Sequence, residues 1–224
     1  MTEGSGWMEQ ALAVLHKDIV AEFRTRHAVN SLIMFGVTTL VAVSFAMGPF
    51  GLSSHVLAAL LWIILFFSAM AGLSRSFVKE EETGTIMALK SSADPTMVLL
   101  GKMMFNLILL AALEIVIVPL FFVMMDTWPS APTRFFAVLL LGSLGLSAVS
   151  TAVAAIVSKA GSKGALFSVL AFPVLLPLLL SSISGTASAL EGASPVWPEL
   201  RLIVGYSGIL ITASFMLFEY IWEQ

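Results

Sequence analysis

Residues 78–95 read Val-Lys-Glu-Glu-Glu-Thr-Gly-Thr-Ile-Met-Ala-Leu-Lys-Ser-Ser-Ala-Asp-Pro. They form the most polar run of a chain that is 58% hydrophobic and 11% charged. Soluble domains carry about 25% charged residues. Apolar segments long enough to cross a bilayer lie on both sides of the run. A soluble fold cannot hide this much apolar surface, so the solvent for most of the chain is lipid. The polar run then reads as a loop between two spans, where a membrane protein meets a soluble partner.

Working outward from that loop, residues 28–54 carry no charge and supply one span, about Ser31 to Met47. Gly48-Pro49-Phe50-Gly51 turns the chain, and Val56 to Ser74 is the second span, closed by Arg75. After the loop, Asp94-Pro95 predicts a helix start, with Asp94 as N-cap and Pro95 at the first helical position. The third span runs to about Met125 and contains Glu114 and Pro119. Phe135 to Val157 is the fourth, with Gly142, Ser143, Gly145, Ser147 and Ser150 as small residues that let helices approach closely in lipid. Ala165 to about Ser182 is the fifth, Ser184 to Glu199 reads as a small-residue connection, and Leu202 to Phe218 is the sixth.

Upstream of these, Trp7 to Arg26 is amphipathic and too charged to span. Met8, Leu12, Leu15, Ile19 and Phe23 fall on one helical face, which predicts a helix lying in the membrane interface. The first residues have no basic cluster followed by an apolar run, so no cleavable signal peptide is expected.

Basic residues orient the whole. With the amino terminus inside, the inner side holds Lys17, Arg24, Arg26, Arg75, Lys79, Lys90, Lys102, Lys159 and Lys163. The outer side holds only Arg134 and Arg201. Positive charge favours the cytoplasmic side, so both termini and the polar loop are expected in the cytoplasm. The formal charge of −3 sits in short loops and offers no surface for nucleic acid.

Chemistry-bearing motifs fail one by one. Lys90-Ser91 sits at phosphate-loop distance from Gly84, but Leu89 stands where a glycine must allow the backbone nest around phosphate. Glu81-Glu82 resembles the glutamate pair of intramembrane prenyl-protein proteases, without the arginine that should follow. No histidine follows Gly142-Ser143 or Gly161-Ser162, so a serine–histidine dyad has no support. His16, His27 and His55 lack metal-ligand spacing, and cysteine is absent. No catalytic, cofactor-binding or metal residue is assigned, and no enzymatic activity is expected.

An interfacial helix, six spans and a polar loop after the second resemble the permease subunits of type-two ABC exporters. The chain more narrowly resembles the haem exporter protein B family, CcmB, of cytochrome c maturation. Three stretches carry the likeness: Arg75 to Lys102 with Gly84-Thr85 and Leu99-Leu100-Gly101-Lys102, Pro119-Leu120, and Gly164 to Leu180 with its paired prolines Pro173 and Pro177. The acidic run Glu80-Glu81-Glu82 departs from the family pattern. The resemblance implies an all-α integral membrane protein with the type-two permease fold, one permease domain over residues 1–224, in the bacterial inner membrane. It implies a cytoplasmic ATP-binding-cassette subunit and a membrane haem-handling subunit as partners, with a periplasmic haem chaperone reached indirectly and a second copy of the chain as a further partner. ATP belongs on the ATPase and haem is handled by the complex, so no cofactor is expected on this chain. Another type-two exporter permease, or a stand-alone transporter or channel, is the alternative.

Within that picture, Thr83 to Ser92 is expected to form a short helix that docks on the ATPase. Glu80, Glu81, Glu82, Thr83 and Gly84 lie at its start, and Ile86, Met87 and Leu89 supply apolar contact. Pro173 and Pro177 are expected to kink the fifth span. Glu114, an acidic residue at mid-span, is expected to face the bundle interior and to hydrogen-bond to Ser143, Ser147 or Ser150.

Overall fold

The computed structural model describes residues 3–47, 51–73, 77, 80, 84–159, 165–192 and 196–223. All regular structure among them is helical. The elements are α1 (Glu3–Thr25), α2 (His27–Met47), α3 (Ser54–Leu73), α4 (Ile86–Ser92), α5 (Pro95–Met124), α6 (Pro132–Lys159), α7 (Ala165–Glu191) and α8 (Trp197–Glu223). Six of these, α2, α3, α5, α6, α7 and α8, are long and apolar enough to cross a membrane, so the protein is a multi-pass membrane protein.

Local chemistry sets the ends of the helices. Pro95 opens α5, and the extended Asp94 before it accepts amide hydrogens from Met97 and Val98 through its carbonyl. The Asp94 side chain makes no cap bond; its own amide donates instead to Gln10 Oε1 of α1, at 3.0 Å. Gly192, at φ +73, closes α7 in the left-handed conformation that only glycine adopts without strain. Ser130 and Ala131 then donate to the carbonyls of Leu190 and Ala189, which ties the start of α6 to the end of α7. The expected connection over Ser184–Glu199 is helical as far as Glu191. Thr186, Ala187, Ala189 and Leu190 are buried against neighbouring spans, and burial holds these small residues in helix where composition alone suggested a loop.

The spans divide into centre and rim. In α3 and α6, 67% of the spanning window is buried; in α2 and α8 it is 17%. The α6 helix packs on α5, α7 and α8, and α3 packs on α2 and α7. Small residues permit these contacts. A Cβ on Gly142 would overlap the Trp62 indole, and one on Gly145 would lie 2.7 Å from Leu178 Cδ2. Trp62 Nε1 donates to Thr186 Oγ1 at 2.8 Å, which satisfies a polar group that lipid could not. The α7 helix runs unbroken through Pro173 and Pro177. Tyr206 of α8 donates to the Val174 carbonyl between them, at 2.7 Å.

Candidate coupling site

The amphipathic helix packs on the bundle of spans. Ala11, Val14 and Leu15 of α1 are buried against α5. Gly101 permits the contact, since a Cβ there would sit 2.7 Å from the Ala11 carbonyl oxygen and 2.8 Å from Val14 Cβ. The expected apolar face is therefore divided. Leu15 joins the core, whereas Met8, Leu12 and Phe23 stay exposed, together with Trp7, as an interfacial helix requires.

One turn further along, α1 presents Lys17 and Asp18 to the inside. Lys102 of α5, 1% exposed, places its ammonium 3.1 Å from Asp18 Oδ2 and 3.3 Å from Glu80 Oε1. Lys17 lies 3.3 Å from Asp18 Oδ1 and donates to Glu80 Oε1. Thr85 adds a hydroxyl donor to Glu80 Oε2 at 2.5 Å. Phe77, itself buried, lies under the Lys102 ammonium at 5.1 Å from the ring centroid. Among the described residues, two cations and two carboxylates thus form a knot joining α1, α5 and the polar stretch. Burial alone would push the Glu80 carboxyl up; Lys102, Lys17 and Thr85 outweigh it and bring it down to about 2. Burial likewise disfavours the Lys17 ammonium, but Asp18 and Glu80 hold its pKa above the ordinary value.

Aromatic contacts extend the knot to the last helix. Phe77 stacks on Phe218 at 5.5 Å, Phe218 on Trp222 at 5.1 Å, and Lys90 of α4 lies 5.5 Å from the Trp222 ring. The 84–92 segment is thus in contact with α8 through Lys90 and with α1 and α5 through Thr85 and Glu80.

The expected docking residues separate into two groups. Gly84 and Met87 are exposed, Met87 by 73%, and Ile86 is half-buried. Glu80 and Leu89 point the other way. Leu89 is 7% exposed and belongs to the core, and Glu80 is committed to the knot. Both of these expected contact residues therefore face the interior of this chain. The short helix also starts later than expected, at Ile86. Gly84, at φ +68, breaks the run before it, and the seven residues of α4 lack an acidic first turn. Glu81, Glu82 and Thr83 lie outside the described residues.

Lys17, Asp18 and Lys102 were not legible as a unit. The available signal was a lysine inside the apolar run Val98–Phe105, flanked by leucines and methionine, where a cation needs a buried partner.

A second polar assembly lies deeper, between α5 and α6. Ser143 donates to Glu114 Oε1, which selects one of the three serines open to it from sequence. Ser147 donates to the Met103 carbonyl at 2.8 Å, and Asn106 Nδ2 to Thr151 Oγ1 at 2.8 Å. The three contacts form a ladder along one helix pair. Interhelical bonds of this kind stabilise a bundle by about 1–2 kcal/mol at most. Glu114→Gln keeps the acceptor and should match wild type in detergent-solubilised thermal stability. Glu114→Leu should lose roughly 1 kcal/mol and lower the yield of assembled protein. Equal stability in both variants would mean that the Ser143 contact adds nothing.

Comparison with known proteins agrees with this architecture. A "Heme exporter protein B" of Bradyrhizobium diazoefficiens is 23% identical over 182 residues, covering 80% of this chain and 82% of that protein. The family model described as "CcmB protein" matches residues 9–218. That match runs from the amphipathic helix into the last span and takes in both polar assemblies, so the chain belongs to the CcmB family.

Proposed function

We propose that this chain is the permease subunit of a haem-exporter ABC complex, acting as one permease domain over residues 1–224. Residues 78–95 form its coupling loop to a cytoplasmic ATPase subunit. Family membership and the relative named as a haem exporter support the complex. The concentration of Lys and Arg on one side supports cytoplasmic termini in a bacterial inner membrane. The chain itself is non-catalytic: ATP is bound and hydrolysed on the partner, and haem is handled by the complex rather than held here. A membrane haem-handling subunit and a second copy of this chain complete the assembly, and the cycle ends in release of a haem-loaded periplasmic chaperone. Pro173 and Pro177 give α7 a place to bend during that cycle.

The observation that carries the reading is the exposure of Met87 on α4. A flexible apolar side chain stands outward on a short helix, and the buried knot behind that helix reaches three other elements. Methionine is suited to an adaptable docking contact. Glu81, Glu82 and Thr83 belong to the same loop, and Gly84 and Ile86 flank the contact.

Met87→Asp places a charge where the ATPase groove requires an apolar group. Co-purification of the ATPase subunit should weaken at least tenfold, the range of an interface hot spot. Insertion and thermal stability of the permease should stay at wild-type values, because Met87 makes no core contact. Undiminished association would place the ATPase contact away from α4.

A further inference from the structure

The helices α1 and α5 touch at Gly101 and then diverge. Beyond that contact they leave a groove of about 490 Å³, within the range of pockets that bind small ligands. Its floor is Phe105, Leu109 and Ala112 of α5, and its walls are Ile19 and Phe23 of α1 and Val29 of α2. The polar groups Glu22, Arg26 and Asn30 stand along it, where α1 ends and the first span begins.

We propose that this groove is a binding site for one anionic phospholipid, with an acyl chain along the α5 floor and the headgroup phosphate on Arg26. The floor and walls are apolar and open where a membrane interface must lie, because α1 carries its exposed Trp7, Met8, Leu12 and Phe23 into that interface. The rim has the sign that a phosphate needs. Arg26 lines the groove, and Arg24 and His27 are exposed beside it. Glu22 is the acidic lining group; its Oε1 accepts the Val29 amide at 2.9 Å, which turns it to the positive start of α2, and Arg24 and Arg26 together outnumber it along this segment. Arg26 is also held in an unusual posture. Its φ of +52 lies in the left-handed region, at the break between α1 and α2, where its amide closes α1 on the Glu22 carbonyl. A planar guanidinium suits bidentate contact with phosphate.

The test uses the full-length protein in nanodiscs of phosphatidylcholine with or without phosphatidylglycerol, followed by native mass spectrometry of retained lipid. Wild type should retain one phosphatidylglycerol about tenfold more strongly than phosphatidylcholine. Arg26→Gly removes the guanidinium while suiting the left-handed backbone, so it should lose the preference without losing thermal stability. Ala112→Phe fills the floor and should abolish retention of either lipid. Soluble glycerol phosphate in excess should not displace the bound lipid, because it offers no acyl chain. Equal retention of the two lipids by wild type, unchanged retention in Ala112→Phe, or displacement by glycerol phosphate would each overturn the proposal.

Discussion

Lys102→Met is expected to destabilise the folded protein by ~3–5 kcal/mol, the cost of removing one partner from a buried charge cluster. Among the described residues, the variant leaves Asp18 and Glu80 paired with the half-exposed Lys17. Its stem is replaced by a side chain of similar shape, so the loss comes from unpaired charge rather than from a void. Combining Lys102→Met with Asp18→Asn should recover most of the loss, since Lys17 and Glu80 then remain as a charge-balanced pair.

The pH response should differ between the two proteins. In wild type the Glu80 carboxyl sits at about 2, below its ordinary 4.5. Its contribution is complete above pH 4.5 and is lost as pH falls through about 2. In Lys102→Met one of the cations is gone, so burial, still opposed by Lys17 and Thr85, moves that carboxyl up from about 2 toward its ordinary range. The Glu80 contribution is then smaller and is lost at a higher pH than in wild type. Thermal unfolding in detergent between pH 7 and pH 4, followed for both proteins, reads this directly. Parallel curves would show that Lys102 does not set the ionisation of Glu80.

Trp62→Ala is the second large effect. The indole is 1% exposed and lies in the centre of the bundle, over Gly142 and against α7. Loss of a buried tryptophan from a soluble core costs ~3–5 kcal/mol, part transfer and part cavity. In lipid the unfolded reference is also apolar, so the transfer part shrinks and the packing part stays. We expect about 3 kcal/mol, because Gly142 has no side chain with which to close the gap and Thr186 loses its 2.8 Å donor. Trp62→Phe should cost less, about 1–2 kcal/mol, as it keeps much of the volume and loses the hydrogen bond. Thermal stability of the two variants in the same detergent separates packing from polarity. An equal loss in both would assign the whole effect to the Nε1–Thr186 contact.

Much of this molecule is readable from composition and spacing. A charge-poor chain with apolar runs of span length admits one architecture, because a lipid core demands that each crossing satisfy its own backbone. Hence the six spans, the amphipathic helix before them and the polar stretch between the second and third spans were legible, to within a few residues at most ends. The helical extension to Glu191 was not. Serine, threonine, glycine and alanine in that stretch have weak preferences, and burial against α3 and α6 decides their conformation. The place of the polar stretch between two spans was legible, but the division of its described residues was not. Met87 faces out while Leu89 and Glu80 face in, and side-chain direction on seven residues depends on what α1, α5 and α8 place beneath them. Glu114 had to find a donor in the interior, and sequence reduced the choice to three serines; the register of α5 against α6 picked Ser143. Lys17, Asp18, Glu80 and Lys102 are the clearest case. Each is an ordinary charge in sequence, and the separation between Asp18 and Lys102 is 84 residues. Charge attraction acts over a few ångströms in space and carries no periodic mark along a chain. Only the close approach of α1 to α5 at Gly101 makes these four residues one site.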